Sequence, residues 1–556
     1  MSALGNGSLK QAGGLGAASL HCRVQAPKRA RSHCATHNEE CVGSPAVDAG
    51  YFERVSLKQR GANGRPDLSR RSVNTDAQDV AELAKDASEA ASRASQAEGK
   101  MGALVSELVA IDNTLADHEK RINEMHFGMS MAVQLPKIPS FLKRLQPQIR
   151  KQIHEGEQQA CGTGYEILLQ GFNWESHQCG WYQTMMEQAA WISQIGFTMV
   201  WLPPPTESVS PQGYLPRDLY NLNSHYGSVE ELQSCLSMFQ NVGMKVVGDV
   251  VLNHRCATYQ NHEGIWNQFG GRLDWDARAI LGNDPNFRGL GNSGKGEMFL
   301  AAPNIDHSQE FVRHDLAHWL KWLRSMGFDG WRFDFVRGFE GKYIQEYIEA
   351  SDPHFAVGEF WDSLNYDGDG SLSFKQDSHR QRICDWINAT GGLSTAFDIT
   401  TKGILHAVFE RSEYWRLRDD QGKPPGLMGW WPSRAVTFLE NHDTGSTQGH
   451  WRFPDHGVEQ GYVYILTHPG TPTVFYDHLV LWQHVRDVVM NLIEIRKRIG
   501  IHSRSHVKIV EAGTDAYAAE IDGRLLMKIG PGHVHVDSSW ELVLSGHNWA
   551  VWEKLN

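Results

Sequence analysis

Arg332 and Asp334 alternate near the end of a short apolar and aromatic run, GFDGWRFDFVRGF, residues 327–339. Such a run reads as a strand, and a period of two puts both side chains on one face. A guanidinium held there keeps its neighbouring carboxylate ionised at neutral pH, the state a nucleophile needs. An Arg-Asp ion pair closing a strand would look the same. The pattern gains chemical meaning from three other runs: KVVGDVVLNH ends in Asp249, Asn253 and His254, FAVGEF in Glu359, and AVTFLENHD in His442 and Asp443. Carboxylates and histidines delivered by four strand ends exceed what strand capping requires.

Those runs belong to an alternation that starts at about Tyr165. EILLQGF, 166–172, precedes a helix through Met185 to Ile195 that stops at Gly196, and FTMVWLPP precedes a helix from about Val229 to Val242. A helix from Glu310 to Ser325 precedes the Arg332 strand; FAVGEF, STAFDI, AVTFLENHD and TPTVFYD supply the remaining strands. Eight strand candidates in βα order predict an α/β fold, a (β/α)8 barrel, over residues 165–502. In such a barrel the reactive groups lie at the C-terminal ends of the strands. Between His254 and Asp306 the alternation breaks, which marks 254–306 as an excursion from the loop after the third strand. From about Ser503 the short runs VKIVEA, AYAAEI, RLLMKIG, WELVLS and WAVWEK predict a C-terminal antiparallel β domain, 503–556.

Composition narrows the chemistry further. The 556 residues are 41% hydrophobic, ample for a large core, and no uninterrupted apolar run approaches the length of a membrane span. A formal charge of −12, with no dense basic run in the aromatic part, argues against a nucleic-acid surface and for a neutral or small-molecule substrate. All 19 tryptophans stand at or after Trp174; their faces stack on sugar rings as readily as they fill cores. The eight cysteines lack zinc or CxxC spacing and read as thiols of a reducing compartment.

The front differs in kind. Residues 1 to about 38 contain Lys10, Arg23, Lys28, Arg29 and Arg31 but no acid, the character of an organelle transit peptide; a merely disordered front on a cytoplasmic protein has the same composition. The polar character continues to residue 75. Across 76–130 the pattern turns helical, with Leu104, Leu108, Ile111, Leu115, His118, Ile122 and Met125 forming a seam. The seam fits a coiled coil that pairs two copies or binds a protein partner through 76–125, and equally a helix lying on the body of the same chain. Residues 131–164, with Pro136, Pro139 and Pro147, read as a linker.

DVVLNH, GFDGWRFDFV, VGEFW and FLENHDTGSTQ together resemble, in order, the four signature stretches of the alpha-amylase family, glycoside hydrolase family thirteen. ILLQGFNWES, VWLPPPTESVSPQGYLP, AAPNIDHS, TTKGIL and GWWPSRAVTF are similar to plant-type members, and NHRCA with FGGRLDW to the plastid-located branch. The resemblance spans about 165–556 and implies endo-hydrolysis of α-1,4-glucan such as starch. It implies Asp334 as nucleophile, Glu359 as general acid and base, and Asp443 as the group that holds sugar hydroxyls and stabilises the transition state. Arg332 would orient Asp334, His254 and His442 would bond the glucose at the cleavage point, and Tyr214 would stack beneath it. Trp430 and Trp431 resemble a tandem surface platform for starch, although adjacent residues often face opposite ways. A catalytically silent glucan-binding scaffold that recruits partners through its front is the competing function.

The same resemblance implies calcium in the excursion, with Asn253, Asn304 and Asp284 as side-chain donors and Ala302 and Gly338 as carbonyl donors. Met298 and Gly294 stand where the cereal pattern has aspartates, and a further calcium loop is short between Phe269 and Asp274. The expectation is one weakened calcium at most and no organic cofactor. Asp274 and Asp276 read as solvated turn residues. Cys256, two residues beyond His254, raises the question of redox control, with an ordinary thiol as the plainer reading.

Overall fold

The computed structural model describes residues 160–555. The transit-peptide-like segment, the seam of 76–125 and all of the linker before residue 160 lie outside the described residues. Among the described residues no helix is long and apolar enough to cross a membrane.

Eight parallel strands close a barrel. In chain order they are β1 (Leu168–Gln170), β2 (Met199–Leu202), β3 (Lys245–Val250), β4 (Gly330–Phe333), β5 (Phe355–Gly358), β6 (Thr395–Phe397), β7 (Ala435–Thr437) and β8 (Thr471–Phe475). Neighbours in sequence are neighbours in the sheet, and β8 pairs with β1. The strands are short, β-branched and aromatic, and almost wholly buried, as expected of strands with helices outside and packed side chains within. Crossover helices begin and end where their chemistry dictates. Ser228 and Glu231 form a capping box on the helix Val229–Asn241. The helix Glu310–Met326 ends at Gly327, whose φ of 118° only glycine adopts freely.

The excursion is built on turns. It carries one small hairpin, Tyr259–Gln260 with Trp266–Gln268, and returns to the barrel through the bridges His254↔Asn304 and Ile280↔Ile305. A second hairpin, Glu207–Ser208 with Pro216–Asp218, lifts the loop that carries Tyr214. Beyond the barrel, β9 (Val507–Ala512), β10 (Tyr517–Ile521), β11 (Leu525–Ile529), β12 (Trp540–Gly546) and β13 (Trp549–Lys554) form one antiparallel sheet.

The start of the body differs from the sequence reading. Residues 160–164, assigned there to the linker, already pair with β5: Cys161 bridges Phe355, and Ala356 N donates to Ala160 O at 2.7 Å. They close the floor of the barrel, where Gly162 N donates to His354 O. Two glycines and a threonine carry no hydrophobic signal, so only the backbone pairing reveals their place.

Candidate active site

Arg332 projects from β4 into the barrel, fully buried, and collects the charges of three strand ends. Its Nη1 donates to Asp249 Oδ1 at 2.9 Å and to Asp334 Oδ1 at 2.6 Å. Its Nη2 lies 2.6 Å from Glu359 Oε1, a close contact off the hydrogen-bond line, since that nitrogen and Nε have no hydrogen-bond partner. Asp249 also accepts from Trp201 Nε1 at 3.0 Å and Tyr214 Oη at 2.8 Å. One guanidinium thus faces three carboxylates where water is scarce, so their ionisation states cannot all be ordinary. Burial pushes the Glu359 carboxyl up to about 8; Arg332 opposes the rise, and the charges of Asp334, Asp443 and Asp249 add to it. Burial lifts Asp249 to about 7 despite its donors. Glu359 therefore holds a proton at neutrality beside Asp334.

Local backbone sets these positions. A Cβ on Gly358 would come within 2.0 Å of the Trp386 ring, so glycine lets β5 run tight against its neighbouring helix just before Glu359. Phe335, directly after Asp334, has φ 47° and ψ 48°, a strained conformation for a bulky residue. That turn aims the Phe335 N–H at Glu359 Oε2, 3.4 Å away.

A flat aromatic wall lines one side. Tyr214 and His442 stack with centroids 5.1 Å apart at 1°, and Trp174 is parallel to both within 4°, at 6.1 and 6.2 Å. Gln170 Nε2 lies 2.9 Å from His442 Nδ1; with Nδ1 accepting, Nε2 carries the proton, 3.5 Å from Asp443 Oδ2. Burial lowers His442 to about 4, so the ring is neutral. Asp443 has 38% of its side chain exposed, against 11% for Asp334 and 10% for Glu359, and is the carboxylate open to an incoming ligand. His254 is placed differently from the sequence expectation. Its Nε2 is 2.9 Å from the Tyr214 carbonyl and its Nδ1 3.2 Å from Asn253 Nδ2, so both nitrogens are engaged within the protein and the ring positions the Tyr214 loop.

Two members of this assembly, Trp174 and Gln170, are not singled out by the sequence, and Asp249 is named there among the strand-end acids without a role. Asp249 was visible as an acid inside an apolar strand, two residues from Val247 on the same face. Trp174 and Gln170 carried no distinguishing spacing.

The calcium donors are brought together but do not fit a calcium cage. Asp284 is the one carboxylate among them, and its oxygens already accept from Asn286 N, Phe287 N, Asn304 N and Asn304 Nδ2 at 2.7–3.1 Å. Asn304 Oδ1 accepts from Phe299 N at 2.8 Å, and Asn253 Nδ2 is 3.4 Å from the same oxygen. Gly338 packs so tightly on Asn253 that a Cβ there would sit 1.7 Å from Oδ1, while Ala302 is buried two residues before Asn304. A hard cation needs six to eight free oxygens; with Asp284 and Asn304 Oδ1 already engaged, Asn253 Oδ1 and the two carbonyls are too few.

Trp430 and Trp431 are both half-buried at the end of a short helix, Leu427–Trp430. The Arg380 guanidinium lies 3.9 Å from the Trp430 ring and that of Arg434 5.7 Å from Trp431. Burial pushes the Cys256 thiol up to about 11, the opposite of a reactive thiolate. Asp276 caps a short turn and pairs with Arg278, and Asp274 is exposed.

A closed parallel barrel whose C-terminal rim sets a protonated carboxyl close to a second carboxyl, beside stacked rings, falls in the class of barrel glycosidases. Comparison with known proteins narrows the class. The alpha-amylase catalytic domain matches residues 166–355, and the alpha-amylase C-terminal beta-sheet domain matches 498–553. Alpha-amylase 3, chloroplastic, of Arabidopsis thaliana is 57% identical over 397 residues, 70% of this chain and 44% of that protein. Probable alpha-amylase 2 of the same plant is 51% identical over 395 residues, 70% of this chain and 94% of its own length. A cyclomaltodextrin glucanotransferase with a three-domain ABC distribution shares the fold, with a TM-score of 0.53 at 15% identity over 70% of this chain and 99% of that one. The chain belongs to the alpha-amylase family.

Proposed function

We propose that the protein hydrolyses internal α-1,4-glucosidic bonds of starch or a related α-glucan by retaining double displacement. The observation that carries this is Arg332, whose two amino nitrogens each lie 2.6 Å from a carboxyl oxygen of Asp334 or Glu359, so that one guanidinium gathers both acids at the rim, the arrangement a retaining pair needs. Asp334 attacks the anomeric carbon while Glu359 gives its proton to the glycosidic oxygen, and the bond to the leaving chain breaks. Glu359, now ionised, takes a proton from water. That water attacks the same carbon and releases Asp334.

The surrounding groups have roles that follow from their placement. Asp443 reaches the sugar hydroxyls and the positive charge that develops at the ring. Tyr214 supports the sugar face, and His442 offers its Nε2 proton beside Asp443. Arg332 aligns the carboxylates, and His254 acts on the sugar through the Tyr214 loop. Trp430 and Trp431 form a secondary platform for long chains. The acid-free basic front and the chloroplastic relative support a plastid location.

Soluble starch at pH 7 should lose its iodine colour well before reducing ends become numerous, the mark of internal cleavage. If no new ends form, with or without calcium and reductant, the glucan-binding scaffold becomes the better reading. A rim in which the acid keeps its proton at neutrality favours the enzyme.

A further inference from the structure

Lys402 lies on the helix Ile399–Arg411, which follows β6, and is fully buried. A lysine in that position calls for explanation, because such residues stay in water unless every proton finds a partner. Its ammonium has three donors, and three acceptors meet it: Leu439 O at 2.7 Å, Trp451 O at 3.2 Å and Glu440 Oε1 at 3.3 Å. The rings of Trp451, Phe453 and Phe438 surround it at 4.6, 5.5 and 5.9 Å. Glu440 Oε1 also accepts from Phe453 N at 3.0 Å.

These acceptors stand at the two ends of a single loop. Leu439 and Glu440 enter it from β7, Trp451 and Phe453 leave it, and the segment between them carries His442 and Asp443. Within the loop, Asn441 Oδ1 accepts from Asp443 N and Thr444 N, and His450 N donates to Asp443 O, so the backbone at Asp443 is referred to both ends. We propose that Lys402 is a positioning residue for the reaction, clamping both ends of the 440–451 loop so that Asp443 stands at its working height on the rim. The proposal rests on the role given above to Asp443. Neither Lys402 nor Glu440 touches substrate in it.

The molecule supplies its own control. Arg496, also fully buried, clamps a loop in the same manner: Nη1 donates to Leu466 O and His468 O, and Nη2 to Gly470 O, at 2.7–2.9 Å. That loop enters β8 at the opposite rim, away from the C-terminal strand ends where a barrel's reactive groups lie. The two clamps differ in what their loops carry.

The test compares Lys402→Met, the double variant Lys402→Met with Glu440→Gln, Glu440→Gln alone, and Arg496→Met. Each is assayed on a soluble maltooligosaccharide at a temperature where circular dichroism shows it folded. The double variant removes the unpaired buried carboxylate that the single Met variant would leave, and Glu440→Gln keeps the two carbonyl bonds should both Met variants fail to fold. The expected result is a fall in kcat of at least about tenfold with KM within about twofold for the Met variants, since a group acting on the transition state moves kcat. Glu440→Gln should lose less in the same direction, and Arg496→Met should melt lower yet keep its kcat. Wild-type kcat in any foldable Lys402 or Glu440 variant, or an equal kcat loss in Arg496→Met, overturns the proposal. Loss of wild-type hydrolysis would instead overturn the function on which it rests.

Discussion

Two buried glutamates at opposite rims of the barrel behave in opposite ways. Glu166, just before β1, accepts from Thr163 N, Thr163 Oγ1 and Gly164 N at 2.6–2.9 Å and lies 3.1 Å from His354 Nε2. Burial pushes its pKa up, but the His354 and Thr163 bonds outweigh that, and the net shift is downward. Glu359, at the C-terminal end of β5, has one close guanidinium nitrogen and one long N–H contact, and burial takes it up to about 8. Side-chain type and depth are matched. Donor supply decides whether a buried acid closes the floor or keeps a proton for chemistry.

This contrast can be broken by experiment. The largest effect belongs to Glu359→Gln, which should cut kcat by about 10²–10⁴-fold, the usual contribution of a general acid, while glucan binding measured with the inactive protein persists. Undiminished turnover would remove Glu359 from its role. The pH profile should sharpen the same point. Glu359 must be protonated to act, so the rate should fall by about tenfold per pH unit once pH rises past about 8.

The opposite rim responds in a different currency. Glu166→Gln should leave kcat within about twofold and lower stability by about 1–3 kcal/mol, the cost of unsatisfied donors in a buried network. Because the Glu166 pKa is depressed on folding, its contribution is present above the ordinary carboxyl pKa and disappears as pH falls through the lowered value. Thermal melts of wild type and variant should therefore converge at low pH. The smallest effect is expected from a chelator, which should change neither melting temperature nor rate, since Asp284 and Asn304 satisfy each other. A melting temperature that drops with chelator and returns with calcium would contradict that reading of the excursion.

Much of the scaffold was legible because its signals are periodic and local. The βα alternation, the run-ending acids and all five C-terminal strands lie where hydrophobic pattern and Gly or Asp turns predict them. What escaped depends on contacts across the barrel. Lys402 stands in the sequence only as a letter of TTKGIL, and only the fold reveals that its end meets Leu439 and Trp451. His254 reads as a sugar ligand, yet a backbone carbonyl and Asn253 occupy it, and backbone carbonyls leave no trace in sequence. The fit of the calcium donors was half legible. Met298 and Gly294 flagged missing charge, whereas the saturation of Asp284 by four N–H groups appears only in three dimensions.

The most direct test of the central claim is early-time proton NMR of soluble starch incubated with the protein, reading the anomeric form of each new reducing end before mutarotation. Double displacement through Asp334 and Glu359 requires fresh α-anomer. Fresh β-anomer would mean inversion by a single displacement and would contradict the pairing of the two carboxyl groups on Arg332.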